Sequence, residues 1–115
     1  MRQPSCSGTV FIYSGRPDPE WLVAPGQLRL LRELWERLPP SDTPPRRAPL
    51  LGYRGCGVRC ASGEEWFAYE GIASLTRRPH RPDHRRDVER RFERQILKSA
   101  PPGTIPEAVR SAAKL

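Results

Sequence analysis

Apolar positions recur along this chain with two different periods, and the periods mark out its elements. "TVFIYS" at 9–14, β-branched and aromatic between Gly8 and Gly15, predicts a strand. "EWLV" at 20–23 predicts a second, short strand after a proline-rich connection. From Pro25, a residue suited to a first helical turn, Leu28, Leu31, Leu34, Trp35 and Leu38 recur at three and four. That stripe predicts an amphipathic helix with Arg29, Arg32, Glu33, Glu36 and Arg37 in solvent. "LLGYRGCGVRC" (50–60) and "EWFAYEGIASLT" (65–76) flank the turn-forming "ASGE" and predict an antiparallel hairpin. Gly52, Gly55 and Gly57 inside the first arm predict a bulge or a close approach of another backbone. A last helix is expected over 83–99, with Asp83 as its N-cap and Val88, Phe92 and Ile96 as a narrow apolar stripe.

The predicted order is strand, short strand, helix, β-hairpin, helix. It describes a two-layer α+β fold with a mostly antiparallel sheet and helices on one face. Residues 1–115 are expected to form a single domain, with a Pro-rich loop at 39–49 and an irregular tail at 100–115.

Alternation within the strands places bulky side chains on both sides of this sheet. Val10 and Ile12 point one way, Phe11 and Tyr13 the other. Trp66, Ala68 and Ile72 are set against Phe67, Tyr69, Ala73 and Leu75. Helices can cover one face only, so the other is expected to present a set drawn from Phe11, Tyr13, Tyr53 and Trp66 as a partner-binding surface.

Charge adds a second candidate surface. The chain carries +7 at pH 7, and eighteen of its twenty cations are arginine. Nine cations and four acids fall within 77–98. Arg77, Arg78, Arg81, Arg85 and Arg86 are therefore candidate nucleic-acid contacts, against the alternative of an ordinary solvated face with ion pairs. In "YSGRPDPEWLV" two prolines stiffen the loop around Arg16. Ser14, Arg16 and Trp21 form a second candidate partner-binding group, with Arg16 presented to a carboxylate or phosphate and Trp21 beneath it or stacked on it.

Catalytic and metal chemistry find little footing. Cys56, Cys60, His80 and His84 have the count of a zinc finger. The cysteines fall on a strand, however, and the gap to His80 is long, so no metal is expected. No serine or cysteine stands in an evident pair with a base, and no glycine-rich loop precedes a helix. No cofactor is expected, and an enzyme is disfavoured. Three cysteines, an odd number, argue against a disulfide framework, and Cys56 and Cys60 sit too far apart along a strand to bridge. The polar opening "MRQPSCSG" lacks a signal-peptide core, and no apolar run reaches the ~20 residues needed to span a bilayer. The expected address is the cytoplasm.

The function these features support is a small binding or accessory module, acting through a protein partner or a homodimer. The alternatives are nucleic-acid binding through 77–98 and an enzyme subunit whose site a partner completes.

Overall fold

The computed structural model describes residues 5–46 and 52–115. Six strands form one antiparallel sheet: β1 (Cys6–Val10), β2 (Glu20–Leu22), β3 (Cys56–Cys60), β4 (Glu64–Tyr69), β5 (Ile72–Arg77) and β6 (Asp83–Arg86). Their order across the sheet is β2-β1-β3-β4-β5-β6. Helices α1 (Pro25–Arg37), α2 (Arg91–Lys98) and α3 (Glu107–Ala112) pack on one face, which makes the expected two-layer α+β fold.

Each helix reaches the sheet by its apolar stripe. α1 begins at Pro25 and buries Leu28, Leu31 and Trp35, while the Gln27 side chain accepts the Ala24 N–H at its start. α2 buries Phe92, Ile96 and Leu97, and its Phe92 ring lies 5.8 Å from that of Trp35. From the sheet, Val10, Cys56, Val58, Trp66, Ala68, Ala73 and Leu75 close the same core.

Several expected elements differ, beginning with the first strand, which runs Cys6–Val10 rather than 9–14 and leaves Phe11 and Tyr13 beyond its end. The run 65–76 is two strands, joined at Glu70–Gly71 with φ of 45° and 94°. Positive φ at both central residues suits the tight turn that right-twisted hairpins need. This turn reverses the side-chain alternation, so Trp66, Ala68, Ala73 and Leu75 share the helix side and Phe67 lies opposite. The predicted helix 83–99 begins late. Asp83–Arg86 pairs with β5, a 3₁₀ turn covers Val88–Arg90, and α2 starts at Arg91. Asp87, not Asp83, caps it: its carboxylate accepts the Phe92 and Glu93 N–H groups at 2.8 and 2.9 Å. Val88 consequently stands outside the stripe and is exposed. In the tail, α3 forms over 107–112 and buries Val109, with Ile105 and Ala113 in the core beside it.

The cysteines are a further correction to the sequence reading. Cys6 and Cys60 are directly opposed on β1 and β3 and form a disulfide, while Cys56 is a buried free thiol. An odd count leaves one thiol over; it does not prevent the other two from meeting across a strand pair. Among the described residues, no helix is long and apolar enough to cross a membrane.

Candidate functional site

All three helices lie on one side of the sheet, and the opposite side holds a groove. The strand register sets Glu20, Thr9, Gly57, Phe67, Ser74 and His84 in one row across all six strands. A parallel row runs Leu22, Ser7, Arg59, Glu65 and Thr76. Ser7, Thr9, Gly57, Ser74 and Thr76 keep parts of this floor low. The loop after β1 supplies a wall through Phe11, Pro17 and Asp18, and the open groove has a volume of about 520 Å³.

Two glycines of the β3 segment, Gly55 and Gly57, leave no room for a side chain, and Gly55 makes space for an aromatic ring of this face. A Cβ on Gly55 would meet the Phe67 ring at 2.7 Å and the Ala68 carbonyl oxygen at 2.9 Å, and one on Gly57 would meet the Trp66 carbonyl oxygen at 2.7 Å. The Phe67 ring therefore settles over bare backbone, and its centroid lies 6.0 Å from that of Phe11 with the planes tilted by 39°. Both rings remain half-exposed. The close approach of another backbone expected at these glycines is made by the Trp66 and Ala68 carbonyls of β4.

The stiff loop is tied down from inside. Asp18 Oδ1 accepts the Ile12 and Tyr13 N–H groups at 2.9 and 2.7 Å, and the Arg54 guanidinium donates to the Tyr13 carbonyl at 2.8 Å. Arg16 and Ser14 stand exposed, and the Arg16 guanidinium lies 3.8 Å from the centre of the Tyr13 ring. Trp21 takes no part in that stack. It is buried against Gly8 and donates its indole N–H to Ser99 Oγ at 2.9 Å. Trp21 belongs to the core because β2 alternation turns it towards the helices while Glu20 and Leu22 turn outward.

The four expected face aromatics are not brought together. Phe11 lies on the open face, and Tyr13 lies under Arg16. Trp66 is on the helix side, where it is buried and faces Arg32 of α1. Tyr53 packs edge-on against Tyr69 and donates its hydroxyl to Glu93. The ring that accompanies Phe11 is Phe67. The unseen turn at Glu70–Gly71 hid its role; that dipeptide, between two alternating runs, was the available signal.

Glu93 is the centre of a buried polar knot. Arg90 grips its carboxylate bidentately at 2.7 and 3.0 Å, the Glu70 N–H donates at 3.0 Å, and the Tyr53 hydroxyl completes the set. The Cys56 thiol donates to the Glu93 carbonyl at 3.6 Å. Burial, reinforced by the negative charge of Glu93, pushes the Cys56 thiol well up, and burial likewise raises the Tyr53 hydroxyl far above the usual tyrosine value. Burial also raises the Asp87 carboxyl, although its two backbone donors offset part of the effect. With every oxygen of Glu93 occupied, the knot fastens β3, the β4–β5 turn and α2 together and has no vacancy for a ligand.

The basic candidates scatter. Arg77 pairs with Glu64, and Arg85 donates to the Trp35 carbonyl and lies 4.4 Å over its ring. Arg78, Arg81 and Arg86 are exposed, and among the described residues they make no ion pair. The metal candidates do not converge either. Cys60 is bonded to Cys6, Cys56 points into the core, and His84, on the open face, shares a 2.7 Å hydrogen bond with Ser74 Oγ. That serine–histidine contact joins β5 to β6 on the outer part of the groove row. No family model, curated protein or solved structure matches this chain. The groove has to be read from its own chemistry.

Proposed function

We propose that this chain is a binding module that docks a protein partner on the open face of its sheet. The observation that carries this reading is the half-exposed Phe11–Phe67 pair in a groove of about 520 Å³, on the face opposite all three helices. Aromatic side chains at the centre of a concave surface are the kind that supply most of an interface's binding energy. Arg16, held over Tyr13 beside the groove wall, extends the same surface.

The test is site-specific photo-crosslinking in the source cells. A benzophenone residue in place of Thr76, in the groove, should give a discrete protein adduct that one in place of Arg29, on the outer side of α1, does not. Adducts at both positions or at neither would defeat the reading. An adduct of twice the chain mass would identify a homodimer.

A second reading rests on a separate observation. Arg78, Arg81 and Arg86 are solvent-facing cations without ion pairs among the described residues, which suits phosphate contact through the β5–β6 turn. Its signature is nucleic-acid affinity that falls steeply with salt. For location, the Cys6–Cys60 disulfide supports an oxidising compartment over the reducing cytoplasm expected from the sequence.

A further inference from the structure

The groove reverses the sign of the protein around it. The chain carries +7 overall, yet the residues lining the groove include three carboxylates, Asp18, Glu20 and Glu65, against one guanidinium, Arg59. That guanidinium already lies 3.5 Å from Glu65. Asp18 is fixed in place by the two backbone N–H groups it accepts. Glu20 is exposed and, among the described residues, has neither an ion pair nor a side-chain hydrogen bond. In a chain with twenty cations, a carboxylate left unpaired at the end of an aromatic groove is available to a cation from elsewhere.

We infer that the groove receives an arginine- or lysine-bearing extended segment of the partner protein. This rests on the docking reading and adds the partner's chemistry to it. A basic side chain has two parts that match the two parts of the site. Its aliphatic stem can lie along the Phe11 and Phe67 rings, whose faces also attract the cation, and its charged head can reach Glu20. Ser7, Thr9 and Thr76 add hydroxyls at the spacing of strand residues, suited to the backbone of an extended peptide. A polyanion entering the same groove would meet Glu20, Asp18 and Glu65, so nucleic acid is the disfavoured occupant here.

The experiment titrates the isotope-labelled full chain with the capped peptide GRGRG, its counterpart GEGEG and a short single-stranded thymidine oligomer, following backbone amide shifts. GRGRG should move the amides of Thr9, Gly57, Phe67 and Thr76, and GEGEG should leave them in place. Glu20→Gln should weaken GRGRG binding by about tenfold, the equivalent of one charge-assisted contact. Glu33→Gln, an exposed acid on α1, should change nothing. Because Glu20 is exposed and makes no ion pair or side-chain hydrogen bond among the described residues, its replacement should leave the fold intact. Groove shifts with GEGEG or the oligomer, no groove shifts with GRGRG, or equal affinity in Glu20→Gln would each overturn the inference. A Thr76 photo-adduct that survives any of those results would leave the docking surface standing and remove only its basic partner.

Discussion

Tyr53→Phe tests the buried knot at its most accessible member. The substitution keeps the ring against Tyr69 and removes one donor from a fully buried carboxylate. Leaving such an acceptor short of a partner typically costs about 1–3 kcal/mol. Urea unfolding should show a lower midpoint with an unchanged slope; a midpoint equal to the parent's would mean that the Arg90 fork alone satisfies Glu93. Sequence inspection could not place this knot. Glu93 lies in an alternating run of acids and arginines that reads as a solvated helix face, and only the approach of α2 to β3 makes it interior. Parity put Phe11 on the open face, where it lies, and left out Phe67 beside it, because it counted through Glu70–Gly71 as if no turn were there.

Between elements, Glu64 links α1 to β5. It accepts from Arg32 at 2.9 Å and from Arg77 at 3.1 Å, on opposite sides. Partial burial works against its charge, but the two guanidiniums outweigh it and hold the carboxyl below its usual value of 4.5. A carboxyl lowered in the folded state contributes stability above its unfolded value and loses it as pH falls through the folded one. Asp87, raised by burial, runs the other way: its contribution grows as pH falls through its raised folded value. Comparing Glu64→Gln with the parent isolates the first effect. The stability difference should be largest near neutral pH and vanish once the parent carboxyl is protonated, whereas a pH-independent difference would count against the ion pairs. The elements themselves were readable where one period ran uninterrupted, as in α1. They were misread where pairing decided. Asp83–Arg86 has no apolar alternation and becomes a strand because β5 offers it an edge, while Pro39, Pro40 and Ser41 bond to its other side.

For the whole molecule, the Cys6–Cys60 disulfide closes a loop of 54 residues between neighbouring strands. Constraining the unfolded chain over that length should contribute about 4 kcal/mol on the chain-entropy view. Thiol titration gives a direct check. The native protein should show no reactive thiol, since Cys56 is buried; the denatured, unreduced protein should show one, and the reduced, denatured protein three. Three thiols without reduction would remove both the staple and the oxidising address. Reduction under native conditions should also lower the unfolding temperature measurably.

Local patterning by itself determined the class of this fold, the face that α1 buries, the stiffness of the Arg16 loop and the need for bare backbone at Gly55 and Gly57. Those properties follow from neighbours within a few residues, where backbone angles and side-chain periods are set. The strand pairing, the partner of Cys6, the sealing of Trp66 and Trp21, the burial of Glu93 and the acidic sign of the groove depended on contacts distant in sequence. Asp18, Glu20, Arg59 and Glu65 share a surface only because β2, β1, β3 and β4 lie side by side. Chain-wide charge points the opposite way: a net balance records how many ions there are, and the fold decides which of them meet.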